Sequence, residues 1–158
     1  MQIVRCLETE FARLHSRSLA LARSLPPGRL YWQPRGEGRL THAPSCGEHL
    51  LRSAAAVEQT FGGITANLWD DPFEWTLPET LTTLPLVEEY LSEVEATRVR
   101  GFTLFKSDGE LSQEIAVPAG GTRTLFDVIL ETLARASQHQ GRAFATFRLF
   151  SDARLPQI

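Results

Sequence analysis

The chain is poor in the features that name a function at first sight. It has two cysteines in 158 residues. Cys6 and Cys46 form no CxxC pair, which fits a reduced, cytoplasmic setting. There is no basic block or stripe, and the net charge is -3, which argues against nucleic acid as the main partner. The longest apolar runs are broken by Arg or Glu well short of membrane-spanning length, so neither a transmembrane helix nor a membrane partner is expected. The opening MQIVRCLETEF carries charge early and lacks an apolar core segment, so no signal peptide is expected. No internal repeat and no low-complexity segment occurs. What remains is an ordinary globular composition, 42% hydrophobic and 22% charged. The length fits a single domain, residues 1–158, with a sizeable core.

Hydrophobic spacing divides the chain into four helices. Val4, Leu7, Phe11, Leu14, Ser18, Leu21 and Leu25 recur at steps of three and four, predicting a first helix over 2–25 that Pro26-Pro27-Gly28 stops. His15 beside this stripe is expected to be a half-exposed helix histidine. Residues 26–44 hold four Pro and three Gly and predict a loop, with Leu30, Tyr31 and Trp32 folded back over one end of the core and His42 solvated. Ser45 and Glu48 form an S-x-x-E capping box, which makes Ser45 the N-cap of a second helix. Cys46, His49, Ser53, Val57 and Thr60 share one face of it. His49 then faces inward in the first turns, where the positive end of the helix dipole disfavours imidazolium and leaves a neutral nitrogen. Gly62-Gly63 weakens this helix soon after.

Residues 64–83 predict an irregular connection. Asp70-Asp71-Pro72 is a turn signal; the carboxylates are expected to be solvated, with a ligand role as the alternative. Trp69, Phe73 and Trp75 are expected to pack on the bundle or to line a pocket mouth. A third helix begins near Thr83, with Pro85 in its first turn. Its stripe is Leu84, Val87, Leu91, Val94, Arg98, Phe102 and Phe105. Arg98 is expected to snorkel outward, the alternative being a pairing with a buried carboxylate or anion. Ser107-Asp108-Gly109 predicts a turn, LSQEIAV a short extended segment and PAGGTR a loop.

The longest helical pattern is the last, Thr122 to Phe150. Leu125, Ile129, Thr132, Ala136, His139, Ala143, Phe147 and Phe150 form one stripe, and Thr124 with Asp127 marks the start. Arg135, Gln138 and His139 put a polar cluster on or beside this apolar face. Thr132, Ala136 and Ala143 around it are small, and leave room for an ion, a water or a ligand. A histidine satisfied across the core is the bland alternative. Four amphipathic helices with long connections after the first and second predict an all-α four-helix bundle with long crossover loops, whose site residues project inward from facing helices.

Over roughly residues 5–150 the chain resembles the DinB-like (YfiT-like) family of bacterial four-helix proteins. Three stretches carry the resemblance. LPPGRLYWQPRGEGRLTHAPSCGEHLL is similar to the family's aromatic-x-Pro loop followed by a Ser-capped helix with an early His-Leu. LVEEYLSEVEATRVRGFTLF is like its third helix. ETLARASQHQGRAFATFRL resembles its closing H-x-x-x-H-x-G-Q and the helix that ends near Leu-Arg.

The resemblance implies a site for one divalent metal held by three histidines, one on the second helix and two spaced by four on the last. By position these are His49, residue 135 and His139. Residue 135 is Arg, and the Gln after the Gly is Arg142. A guanidinium is permanently protonated and cannot donate to a metal, and its charge repels a divalent ion. The expectation is therefore a degenerate metal site with no metal, or alternatively one Ni, Zn or Fe ion on His49 and His139. Cys46, three residues before His49 at a helix N-terminus where thiol pKa values fall, is the fallback third ligand. Otherwise Arg135 stands in for the metal and binds an anionic group between the histidines, or Glu131 one turn earlier neutralises it.

Two functions follow from the resemblance. The first is a metal-poor, non-catalytic ligand-binding or stress-associated bundle, with a pocket formed by Arg135, His139, His49 and Cys46 and a homodimer interface along a helix face. The second is a metal-dependent thiol transferase or hydrolase using His49 and His139, in which the metal polarises a thiol or a water.

Overall fold

The computed structural model describes residues 1–34, 43–72, 76–118 and 120–156. Four helices dominate it: α1 (Gln2–Ser24), α2 (Cys46–Ala66), α3 (Leu84–Thr103) and α4 (Leu125–Arg148). A two-stranded antiparallel sheet, β1 (Glu114–Ala116) with β2 (Thr122–Thr124), lies between α3 and α4, with Ile115 opposite Arg123. This is an all-α four-helix bundle with a minor hairpin. His42, Phe73 and Trp75 lie outside the described residues.

The direction of each helix follows from its contacts. Phe11 meets Phe102 with ring centroids 5.8 Å apart, and Arg23 bonds Glu88 at 2.9 Å, so α1 and α3 are antiparallel. Ser53 donates to the Ala136 carbonyl at 2.9 Å and Thr60 meets Thr132 at 2.6 Å, so α2 and α4 are antiparallel. Tyr90 donates to Glu58 at 2.5 Å and Phe61 packs on Phe102 at 5.1 Å, so α2 and α3 run the same way. The order is up, down, down, up, with α1 and α2 each packed against α3 and α4. Parallel neighbours cannot be joined by a tight turn, and residues 67–83 separate α2 from α3.

Local sequence caps α2 and α4. The Ser45 hydroxyl accepts from the Glu48 N–H at 3.2 Å, and the Glu48 carboxylate accepts from the Ser45 N–H at 2.6 Å. Thr124 caps α4 by accepting from the Asp127 N–H at 3.1 Å. Helix α1 has no side-chain cap of its own. The Asp108 carboxylate supplies one from across the fold, accepting from the Gln2 N–H at 2.7 Å and the Val4 N–H at 2.9 Å. These bonds, Val4 first, hold Asp108 down at about 2.

The core is apolar and closely packed. Phe11, Phe61 and Phe147 are fully buried, together with Leu21, Leu50, Ile129 and Val87. Each such side chain contributes about 1.5–3 kcal/mol relative to exposure. Phe11 stands edge-on to Phe61, with centroids 5.3 Å apart. Gly101 makes this possible, because a Cβ there would sit 2.4 Å from the Phe61 ring.

Several expectations are corrected. Arg98 does not reach outward. It is 3% exposed and donates from Nε and Nη2 to Glu95 at 2.7 and 2.6 Å. The segment starting at Ser107 is a 3-10 turn over Asp108–Ser112, and the expected extended run begins only at Glu114. The Pro118–Arg123 stretch is not all loop, since Thr122 and Arg123 lie in β2. Helix α3 ends at Thr103, and Phe105 reaches the core from just beyond it. Gly63 has a packing reason beyond helix weakening: a Cβ there would lie 2.3 Å from the Trp69 ring. Leu30 is buried and the Tyr31 hydroxyl donates to the Leu81 carbonyl. Trp32 stands edge-on to Phe150 at 5.2 Å.

Candidate functional site

The seam between α2 and α4 carries the polar residues singled out in the sequence. Small and hydroxylated side chains let the helices approach there. Thr60 and Thr132 share a buried hydrogen bond, and Ser53 bonds the backbone of α4. Farther along, His49 and His139 face each other with ring centroids 6.1 Å apart and planes inclined by 33°. His49 is 7% exposed and His139 is half-buried. The Nδ1 atom of each is buried without a hydrogen-bond partner. An unpartnered buried imidazole nitrogen is unfavourable unless the pocket has a use for it.

A cavity of about 190 Å³ opens beside the His139 ring. Helix α2 lines it with Glu48, Leu51, Arg52, Ala55, Ala56 and Gln59, and α4 with Arg135 and His139. The α2–α3 connection closes it with Asp71, Thr76, Leu77 and Pro78. The lining thus mixes hydrocarbon with two guanidiniums, two carboxylates and an imidazole.

Arg135 is exposed at the mouth and donates from Nη2 to Gln59 Oε1 at 3.2 Å. Gln59 in turn donates from Nε2 to the Trp69 carbonyl at 3.1 Å. The expected neutralisation of Arg135 by Glu131 is not observed, because Glu131 pairs with Arg123 from β2. At the other end, burial pushes the Glu48 carboxyl up. The N–H and hydroxyl of Ser45, with Gln33 and Arg52, outweigh that and hold it below its ordinary value.

Both imidazoles are held below the ordinary histidine value. For His49 the main cause is burial, followed by His139, Arg142 and Arg52, with Glu48 opposing. For His139 it is burial, followed by Arg142, Arg52 and Arg135. Arg142 and Arg52 thus disfavour imidazolium at both rings, and Arg135 does so at His139. Neutral imidazoles suit a metal, but the surrounding charges do not.

The fallback ligand fails. Cys46 is fully buried in the apolar core. Burial pushes its thiol up to about 12, the opposite of the expected lowering, because desolvation of a thiolate outweighs the helix terminus there. Among the described residues, no three His, Cys, Asp or Glu side chains converge where they could hold a metal ion. The donor set is two imidazoles beside a fixed cation, which does not fit a three-histidine metal site.

The structure brings His49, His139 and Arg135 to the same seam and leaves Cys46 in the core. Sequence reasoning missed Arg52 and Gln59. Their signal was present: Glu48, Arg52, Ala55, Ala56 and Gln59 follow one another at helical spacing, on the face next to the apolar stripe. Their role depends on the α2–α3 connection lying over them. Among the described residues no helix is long and apolar enough to cross a membrane. No family model, curated protein or solved structure matches this chain.

Proposed function

We propose that this chain is a metal-poor, non-catalytic ligand-binding bundle of the DinB-like kind, and that the cavity between α2, α4 and the α2–α3 connection takes a small anionic organic molecule. One observation carries this reading. Arg135 stands where the resembled family has its middle ligand, and lines a cavity together with Arg52, His139, Glu48, Asp71, Ala55 and Ala56. Guanidiniums supply fixed donors for an anion, and the small residues leave room for its body. The resemblance also suggests a cytoplasmic, stress-associated protein with a homodimer interface along a helix face.

The two unpartnered Nδ1 atoms favour a second reading, a thiol transferase or hydrolase with one divalent metal on His49 and His139. Metal analysis by mass spectrometry separates the two. Protein purified without a histidine tag is expected to carry no stoichiometric metal. One equivalent of Ni, Zn or Fe would sink the first reading in favour of the second.

A further inference from the structure

We propose that the protein has a second binding site, at the far end of α2 from His49, which takes a small organic ammonium ion with a hydrocarbon body. Glu110 and Trp69 are the residues that hold it. The inference does not depend on the anionic-ligand reading of the first cavity.

A cleft of about 410 Å³ opens where the ends of α2 and α3 meet the hairpin and the start of α4. Gly63 in its lining lies about 21 Å along the α2 axis from His49 at the helical rise. Among the described residues, the two cavities share no lining side chain.

The walls set the body of the ligand. Ile64, Leu104, Ile115 and Leu125 supply aliphatic surface, and Trp69 supplies a ring. Trp69 is fixed from several sides. Gly63 leaves room for its ring, since a Cβ there would lie 2.3 Å away. Its indole N–H donates to Asn67 Oδ1 at 3.1 Å, and its carbonyl accepts from Gln59 at 3.1 Å. A ring held in this way loses little freedom when a ligand packs on it.

The sign of the charge follows from the polar groups. Among the described residues that line the cleft, Glu110 alone is charged. Its Oε2 accepts from the backbone N–H groups of Lys106 and Ser107. No described cation pairs with this carboxylate. The Lys106 ammonium is engaged elsewhere, donating to the Thr103 carbonyl at 2.6 Å. Helix α2 brings its negative end to the cleft at Ile64 and Asn67, with no basic residue in its last turn. The positive end of α4 is met by Asp127 in its own first turn. The negative end of α3 already carries Arg100. An ammonium therefore meets a carboxylate, a helix C-terminus and an aromatic ring, each of which favours a cation. An anion would find no cation in the lining to meet it.

The test is an NMR titration of isotope-labelled full-length protein with 2-phenylethylammonium, 2-phenylethanol and phenylacetate, which share a body and differ in charge. The ammonium is expected to shift the Trp69 indole N–H and the Ile115 amide, and to bind about tenfold more tightly than the alcohol. Phenylacetate is expected to bind more weakly still. Glu110→Gln keeps an oxygen for the two backbone N–H groups, and is expected to bring the ammonium down to the affinity of the alcohol. Leu104 is 52% exposed, so Leu104→Lys keeps the fold and puts a cation at the cleft. It is expected to weaken the ammonium about tenfold and to leave the alcohol unchanged. The alcohol or phenylacetate binding as tightly as the ammonium would overturn the inference. So would shifts confined to Ala55 and Ala56, undiminished ammonium binding by either folded variant, or silence toward all three probes.

Discussion

His49 and His139 face each other across the α2–α4 seam, with rings 6.1 Å apart and an unpartnered, buried Nδ1 on each. Neither can accept a proton cheaply, since burial is joined by the charges of Arg142 and Arg52. The pair is a polar site built to stay neutral in a cationic setting.

This gives a pH dependence with a definite sign. The folded values of both rings lie below the ordinary value of 6.5. As pH falls, the unfolded chain takes up protons first. The contribution of these rings to stability is complete above about pH 6.5 and declines from there down to their folded values. Ring-proton NMR is expected to show both titrating below 6.5, and melting temperatures are expected to fall through that window. Midpoints at or above 6.5 would contradict the geometry.

Arg135→His places a third imidazole one turn before His139. The variant is expected to bind a divalent ion more tightly than the parent does, because a repelling cation is replaced by a neutral donor. Zinc titration followed by metal analysis checks this. A variant that stays empty would mean that residue 135 is not the counterpart of the middle histidine.

The buried pair on α3 can be tested by a double-mutant cycle. The Arg98 and Glu95 side chains are 4% and 24% exposed and 2.6 Å apart. Arg98→Met is expected to cost about 2 kcal/mol, less than the fully buried case, because Glu95 keeps some contact with water. Adding Glu95→Gln is expected to recover most of that loss. Denaturant unfolding reads both effects, and equal losses in the single and double variants would remove the pair from the account.

Two glycines on helices make a matched pair. A Cβ at Gly101 would lie 2.4 Å from the Phe61 ring, whereas one at Gly141 meets nothing within 4 Å. Gly101→Ala is expected to destabilise by about 2 kcal/mol through overpacking of a core ring. Gly141→Ala is expected to stabilise by about 0.5–1 kcal/mol, as alanine replaces glycine in an open helical position. Thermal melts of the two variants are expected to shift in opposite directions.

The helices were legible because their signals are local. Spacing of three and four marked the stripes, and Ser45 and Thr124 sit at their helix starts as caps. Arg98 was misjudged because an arginine on a stripe reaches water or a partner equally well, and Glu95 one turn away decides which. Cys46 was misjudged for a similar reason. A helix terminus lowers a thiol pKa in water, but the core around Cys46 removes the water.

By itself the sequence determined four amphipathic helices, the caps of α2 and α4, and an inward polar cluster whose middle position is an arginine. These are consequences of side-chain period and of the unsatisfied N–H groups at helix starts. Tertiary structure alone decided the rest. It set α2 against α4 so that His49 meets His139, gave Glu131 to Arg123 and Arg135 to Gln59, and laid the α2–α3 connection over the seam to close a cavity. Each of these depends on which groups are brought together from distant parts of the chain and on how much water they keep, and no local spacing encodes either.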